Sequence, residues 1–242
     1  LTITGGAGDD IITAGSGNDI ITAAAGADNI TGASGSDTIS LGSSDSASDV
    51  VNFNSSSGAD TINQFNAGAS NGDILKYLGN LTDQDFNSSN GSDGSDQILV
   101  ADYLLNAKNS SLEIAQLVIG FTTSVTQNGL ASGSSIDFTG AGISSSMIIS
   151  AIETSLENQN DASGSGNGLL SGASNQAVAN GEANETKLLL FTDGGSGSAE
   201  DVAVVLYDEG SNPEMDFDGE LTLTNVLKSV DISDLTHDNF FG

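Results

Sequence analysis

The chain has 242 residues and a formal charge of −29, because 33 aspartates and glutamates face four lysines and no arginine. Proteins that bind nucleic acid need a basic footprint, so no nucleic acid partner is expected. The sequence contains no cysteine for disulfides, and no run approaches the roughly 20 apolar residues of a membrane span, so no membrane insertion is expected.

A nine-residue repeat of the form G-G-x-G-x-D-x-U-x, where U is a large aliphatic residue, begins at residues 5–13. With the first copy included, four copies stand in register. Each β-branched pair suits a short strand, and glycine allows the tight turn between strands. Because side chains alternate across a strand, the U residues are predicted to form a narrow inner core. The repeated residues are the aspartates Asp10, Asp19, Asp28 and Asp37, and the isoleucines Ile12, Ile21, Ile30 and Ile39.

These four copies resemble the RTX (repeats-in-toxin) nonapeptide, which forms a calcium-binding parallel β-roll. The resemblance implies that each copy makes a half-turn, so that Asp10 would share Ca²⁺ with Asp28, and Asp19 with Asp37. Carbonyls of the glycine-rich stretch would complete each site, since calcium prefers oxygen ligands. The alternative is that the aspartates are solvated turn residues, which does not account for the period. The ligand positions predicted in addition to the four aspartates are Gly6, Gly8, Asp9, Gly15, Gly17, Asn18, Gly26 and Gly35.

The D-x-U-x ending recurs at Asp49, Asp60 and Asp73 with wider gaps of twelve, eleven and thirteen residues. We interpret these as further coils with bulged loops, in which the aspartates are either calcium ligands or plain turn residues. Residues 1–76 are therefore predicted to form the β-roll domain. A lone unit at residues 91–99 predicts either a hairpin turn or a metal site.

Residues 77–242 are predicted to form a β-rich C-terminal domain with one or two short helices, which makes the fold mainly β. Apolar residues recur at helical spacing in residues 144–158, after serines that could cap the helix. Residues 159–184 are expected to form a long loop. Residues 187–192 and 202–207 are strand candidates, joined by a hairpin that resembles a degraded nonapeptide. Residues 221–234 are expected to close the sheet. Residues 112–118 fit either a strand or a helix.

Two acidic or terminal segments have alternative interpretations. Residues 216–220 could wrap a hard cation, although an acidic hairpin loop fits them better. Residues 235–242 resemble the uncleaved C-terminal signal of proteins exported by type I secretion; alternatively, Phe240 and Phe241 simply dock a terminal strand on the core. The segment Leu1–Thr4 matches the strand end of a repeat, which suggests a chain cut from a longer array.

No H-E-x-x-H or G-x-S-x-G motif occurs, and the single histidine, His237, has no cysteine to activate. An enzyme is therefore not expected. The first hypothesis is a secreted, extracellular, calcium-binding structural protein that assembles with itself into an S-layer, sheath or filament. The second is the C-terminal export and folding module of a larger toxin, exoenzyme or adhesin. The third, an adhesin for glycans or ice, predicts a flat threonine face built on Thr13, Thr22 and Thr31.

Overall fold

The structure is a computed structural model. It describes residues 1–42, 46–68, 71–79, 115–118, 137–159, 186–193, 200–208, 219–231, 234–235 and 238–241. The N-terminal part is a stack of short strands separated by tight turns. Successive strands alternate between two parallel sheets, so each strand pairs with the strand two positions later in the chain. The strands are β1 (Thr2–Ala7), β2 (Ile11–Ser16), β3 (Ile20–Ala25), β4 (Asn29–Ser34), β5 (Thr38–Ser40), β6 (Val50–Phe53), β7 (Asp60–Asn63) and β8 (Ile74–Tyr77).

The inner faces of the two sheets form the core of this stack. In one sheet Ile21 is the register partner of both Ile3 and Ile39, and Ile39 is also the partner of Ile62. The other sheet aligns Ile12, Ile30, Val51 and Leu75 in the same way. Except for the partly buried Ile3, these side chains are buried. The aliphatic U position therefore builds the predicted inner ladder, because one residue per coil points inward at each sheet.

The C-terminal elements extend the first of these sheets. Its order is β1-β3-β5-β7-β12-β11-β10-β9. The pairing of β12 with β7 is parallel, whereas β12 with β11 and β11 with β10 are antiparallel, and β9 with β10 is parallel. The C-terminal elements are β9 (Ala115–Val118), α1 (Ser145–Gln159), β10 (Thr186–Thr192), β11 (Glu200–Asp208), β12 (Leu221–Val230) and α2 (Asp238–Phe241).

Two clusters of buried side chains lie on opposite faces of this long sheet. The first joins the aliphatic ladder of the roll to inner residues of the C-terminal strands, such as Leu190 and Leu227, and to Phe240 of α2. The second lies on the other face, where Ile148 and Ile152 of α1 pack with residues such as Val226. The backbone N–H of Met147 donates to the Ser144 hydroxyl at 3.3 Å, so Ser144 caps α1.

The predicted mainly β fold, with an N-terminal parallel roll and short helices, is confirmed. The ambiguous segment at residues 112–118 contains the strand β9. One expectation is wrong: residues 221–234 do not close the sheet, because β12 lies between β7 and β11. Apolar side chains on both of its faces, including Leu227 and Val226, need cover on both sides. The boundary after residue 76 stays a prediction, and residues 91–99 and 160–185 lie outside the described residues.

Candidate metal centre

The regular nine-residue spacing of the repeat places each sixth-position aspartate where a glycine-rich turn ends and a strand begins. Each of the four lies directly before the first residue of its strand: Asp10 before β2, Asp19 before β3, Asp28 before β4 and Asp37 before β5. The following U isoleucine is two residues away, so both side chains face the inside of the roll. The turn therefore delivers one carboxylate per half-coil to the interior.

The aspartates of successive coils are linked by hydrogen bonds into two rows. In the first row the backbone N–H of Asp19 donates to Oδ1 of Asp37 at 2.8 Å, and that of Asp37 to Oδ1 of Asp60 at 2.9 Å. The amino group of Leu1 donates to Oδ1 of Asp19 at 2.6 Å. Each first-row carboxylate thus accepts from the backbone nitrogen of the coil before it.

The second row lies on the opposite side of the roll and follows the same rule. Backbone N–H groups of Asp10, Asp28 and Asp49 donate to Oδ1 of the next aspartate in the row at 2.8, 2.8 and 3.0 Å. The row ends at Asp73, whose Oδ2 also accepts from the N–H of Asn66 at 2.7 Å. The structure therefore aligns the three irregular aspartates with the four regular ones, although the gaps between them widen. Whether Asp49, Asp60 and Asp73 bind calcium stays a prediction.

Burial leaves part of these carboxylates without a partner. Asp28 and Asp37 are 1% exposed and Asp19 is 3% exposed. Within the described segments, Oδ2 of each of these three side chains has no hydrogen-bond partner. Burying an ionised oxygen without compensation is strongly unfavourable, so these positions call for a cation. Calcium takes about six to eight oxygen ligands from carboxylates and carbonyls, and the rows supply oxygens of this type.

The fifth position of the repeat forms an outer ladder beside the aspartate rows. Oδ1 of Asp9 accepts from the N–H of Ala27 at 2.9 Å, and Oδ1 of Asn18 accepts from Ser36 at 3.0 Å. Both bonds are solvent-exposed. These side chains hold adjacent turns together, and their predicted role as ligands stays a prediction.

The fourth-position glycines allow adjacent turns to stack in close contact. A Cβ added to Gly26 would lie 2.5 Å from the carbonyl oxygen of Gly8, and one added to Gly35 would lie 2.4 Å from that of Gly17. All four have positive φ. Gly6 and Gly15, at the second position, also have positive φ, and at this position Ala24 and Ala33 retain it in the third and fourth repeats. The alanine substitutions thus leave the turn geometry in place.

The aspartate rows perturb their own protonation. Burial raises the pKa of the Asp60 carboxyl to about 8 from its ordinary 3.8; the N–H of Asp37 opposes the rise, and the Asp37 charge adds to it. Burial likewise raises the pKa of Asp37, opposed by the N–H of Asp19 and reinforced by its charge. Lys76 and Lys228 are exposed, so they do not bring a positive charge to these buried carboxylates. A divalent cation would supply the positive charge that keeps such carboxylates ionised.

Sequence reasoning missed two polar residues at the ends of the rows. Asn225 of β12 is fully buried and is the register partner of Asp60. Asn239 of α2 is also fully buried, and its Nδ2 donates to the carbonyl oxygen of Asp73 at 2.9 Å. Asn225 lies in no repeat or motif, and Asn239 lies in the segment that resembles an export signal, so no local signal in the sequence placed either residue beside the aspartate rows.

A third acidic group lies away from the roll. Carboxylate oxygens of Asp137, Asp193 and Asp201 lie within 4.8 Å of one another. Asp193 accepts from the N–H groups of Phe138 at 2.8 Å and Asp201 at 2.9 Å, and Asp201 accepts from the N–H of Ser229 at 2.9 Å. These bonds join the adjacent ends of β10 and β11 to Phe138 and to Ser229 of β12. The degraded nonapeptide at residues 193–201 was the only sequence signal of this cluster.

The predicted threonine face is wrong in its composition. Thr13 and Thr31 are register partners in the sheet of β2 and β4, whereas Thr22 pairs with Thr4 and Ser40 in the other sheet. The half-coil geometry sends successive repeats to different sheets, so the three threonines do not form one row. Of the acidic segment at residues 216–220, the structure describes Gly219 and Glu220.

Comparison with known proteins agrees with the geometry of the roll. The RTX calcium-binding nonapeptide repeat, in four copies, matches residues 4–39. No curated protein matches the chain significantly, and no solved structure does. Among the described residues, no helix is long and apolar enough to cross a membrane.

Proposed function

We propose that this chain, which carries an RTX calcium-binding repeat array at its N-terminus, is a secreted structural protein that calcium folds and that assembles with itself outside the cell. RTX repeats bind calcium in a β-roll, and proteins that carry them are typically secreted. The observation that carries the calcium part is the set of buried, unpartnered Oδ2 atoms of Asp19, Asp28 and Asp37. Metal binding is then coupled to folding free energy.

Support for assembly comes from the first coil. Within the described part of the chain, each of β1 and β2 pairs with one strand only, and the other edge of each strand has no partner there. Such an edge is a template for another chain. Apolar side chains stand exposed beside it: Leu1 is 70% exposed, Ile11 88% and Ile20 54%. We propose that a second copy covers this end, as in an S-layer, sheath or filament.

A structural role rather than catalysis is part of the proposal. The sequence offers one histidine, no cysteine and no arginine. The buried carboxylates are the obvious candidates for catalytic groups, but their Oδ1 atoms accept hydrogen bonds that join adjacent coils. The oxygen atoms of the aspartate rows fit calcium as the metal.

Calcium titration tests both parts in one experiment. Circular dichroism should show a gain of β signal as calcium is added to metal-free protein, and light scattering should show growth of particles at higher calcium. Asp19→Ala should weaken the folding response more than Asp208→Ala, since Asp208 is exposed and outside the rows. A spectrum that ignores calcium would remove the metal hypothesis, and a monomer at millimolar calcium would remove the assembly hypothesis.

The edge itself can be tested with a matched pair of variants. Ile11→Lys places a charge on the edge strand β2, and charges on edge strands oppose edge pairing. Asn29→Lys places the same charge one strand further in, at the register partner of Ile11. We expect the first variant to fold with calcium but stay monomeric, and the second to assemble. Equal assembly of both variants would show that this edge is not the interface.

The alternative is the C-terminal export and folding module of a larger RTX toxin, exoenzyme or adhesin. It is favoured by the way β12 and α2 cover the last coil, since β12 pairs with β7 and Phe240 of α2 joins the core of the roll. A cap of this kind would complete a folding unit. Persistence of the monomer in calcium, together with a catalytic or adhesive region elsewhere in the gene product, would favour this alternative.

A further inference from the structure

Asn225 is a buried amide with no local explanation. Its side chain is 0% exposed, and neither Oδ1 nor Nδ2 has a hydrogen-bond partner among the described residues. Burying an amide without a hydrogen-bond partner is unfavourable, because the group gives up its bonds to water and gains none. Native proteins leave few such groups, and each needs a reason such as an ion or a water. The side chain of Asn225 therefore indicates a binding position for an ion or a water.

The position of Asn225 identifies the neighbour of that ion or water. In the parallel pair of β7 and β12, Asn225 is the register partner of Asp60, and Leu227 is that of Ile62. Register partners share a face of the sheet, and adjacent strands lie about 4.7–4.9 Å apart. Because Asp60 and Ile62 are buried on the inner face of the roll, Asn225 stands next to Asp60 on that face.

Asn225 thus follows Asp19, Asp37 and Asp60 in the first row, but it does not continue their hydrogen-bond ladder. Oδ1 of Asp37 and Asp60 each accepts from the backbone nitrogen of the preceding coil. Oδ1 of Asn225 accepts from no described group. On the other side of Asp60, Oδ2 of Asp37 is also buried and without a partner. Two free oxygens therefore flank the Asp60 carboxylate.

We propose that Asp37, Asp60 and Asn225 form a divalent cation site at the junction of the roll and the C-terminal sheet, with Asn225 Oδ1 as the ligand from outside the repeats. Carboxylate and amide oxygens are both ligands that calcium accepts. The proposal rests on the proposed calcium-dependent function and adds a ligand from β12 to it. Nδ2 of Asn225 is then free to donate to a water on the cation.

Such a site has a mechanical consequence. A cation held by β5, β7 and β12 joins the last coil of this sheet to a strand that comes more than 160 residues later in the chain. Calcium would then organise the C-terminal sheet as well as the repeats. Folding of the two parts would be linked through one ion.

Asn225→Leu distinguishes a ligand from a buried amide without a role. Under the proposal, calorimetric titration of Asn225→Leu shows one bound calcium ion fewer than wild type, or an affinity at least tenfold lower at the weakest class of calcium sites. Its calcium-induced rise in melting temperature is also smaller. Asn63→Leu is the matched control, because Asn63 lies on the same strand β7 as Asp60 but is half-exposed on the outer face, and it should keep the wild-type number of ions.

The opposite result overturns the inference. If Asn225→Leu binds as many ions as wild type with unchanged affinity, and its metal-free form melts at a higher temperature, then Asn225 is a buried polar group without a cation. Should the leucine variant fail to fold, Asn225→Asp decides: a carboxylate in the same place raises calcium affinity if it meets a cation and leaves it unchanged if it does not. Wild-type protein that binds no calcium at all would instead contradict the proposed function.

Discussion

At the scale of single residues, the roll concentrates negative charge where solvent cannot reach it. Six of the seven aspartates in the two rows are buried, from 1% exposure at Asp28 to 3% at Asp19. Each Oδ1 is used for a hydrogen bond to a backbone nitrogen, which fixes the side chain before any metal arrives. In Asp19, Asp28 and Asp37 the second oxygen has no partner among the described residues and is left for a cation. This division explains why aspartate, with two oxygens on a short stem, occupies the sixth position.

Asp37→Asn should separate these two roles. The amide keeps an Oδ1 that can accept from the N–H of Asp19, but it lacks the charge that attracts calcium. We expect calcium affinity to fall by at least about tenfold, while the metal-free protein becomes no less stable because one buried charge is gone. Calcium titration followed by circular dichroism measures both effects, with the exposed Asp208→Asn as the control. An unchanged calcium midpoint would contradict the assignment of Asp37.

Metal-free protein should be more stable at acidic pH than at neutral pH. The folded-state pKa of Asp60, raised by burial to about 8, lies above the ordinary 3.8, and the pKa of Asp37 is also raised. The folded state therefore holds more protons than the unfolded state between these values, so stability falls as pH rises through that window. Calcium needs the ionised carboxylates, and its effect has the opposite dependence.

Thermal melts at pH 5 and pH 7.5, each with chelator and with calcium, check this prediction. Without metal the melting temperature should be higher at pH 5. With calcium the rise in melting temperature should be larger at pH 7.5. The same melts on Asp60→Asn provide the control, because that variant cannot take up the proton and should lose most of the pH dependence of the metal-free form. A metal-free protein that is more stable at pH 7.5 would contradict the burial of these groups.

At the scale of the elements, the coils are held at a separation that leaves no room for a side chain between turns. The fourth-position glycine of one coil meets the backbone of the coil before it, as Gly26 meets Gly8 and Gly35 meets Gly17. Gly58 meets Gly35 in the same way, although its repeat is irregular. This contact explains why the glycine two residues before the aspartate persists at Asp60 when other features of the repeat are lost.

Gly26→Ala and Gly8→Ala form a matched pair that isolates this contact. Their φ angles are similar, at +127° and +118°, so the backbone strain of alanine is nearly the same in both. A Cβ at Gly26 would meet Gly8 backbone atoms at 2.4 and 2.5 Å, whereas a Cβ at Gly8 meets nothing within 4 Å. Chemical denaturation in calcium should show Gly26→Ala less stable than Gly8→Ala by about 1–3 kcal/mol. Equal losses would show that the coils can separate at little cost.

At the scale of the whole molecule, the roll and the C-terminal region share one sheet and one core. The sheet runs without interruption from β7 into β12. The α2 helix covers the other sheet at β8, where Asn239 bonds to the carbonyl of Asp73 and Phe240 is 1% exposed. Of the C-terminal segment that resembles an export signal, the described residues Leu235 and Phe240 are thus buried in the core. Phe240 docks on the core as the alternative predicted, but it does so from the helix α2 and not from a strand.

Phe240→Ala should destabilise the roll from outside its repeats. Removing a buried phenylalanine costs about 3–5 kcal/mol, and because Phe240 belongs to the core cluster that contains Leu75 and Ile62, the loss should appear in the unfolding of the roll. Denaturation in saturating calcium, followed by β signal, measures it. Ile11→Ala, at an exposed apolar residue of β2, is the control and should change stability little. A roll that unfolds as in wild type would show that the cap is energetically separate.

The repeat by itself determined the short strands, the tight glycine turns and the inner isoleucine ladder, and its resemblance to the RTX nonapeptide implied the parallel roll and the placing of Asp10 beside Asp28 and of Asp19 beside Asp37. The ladder could be predicted because the side-chain alternation of a strand fixes which residue points inward, whereas the half-coil per repeat came from the resemblance. The same locality explains why α1 and the hairpin of β10 and β11 were predicted near their observed positions.

Tertiary structure alone decided what lies at the end of the roll. The irregular gaps before Asp49, Asp60 and Asp73 hide their alignment with the regular rows, because bulged loops change the sequence spacing without changing the stack. The places of Asn225 and Asn239 depend on pairings across most of the chain. No local pattern encodes a contact between such distant residues, so only the folded chain shows that the aspartate rows end in two asparagines.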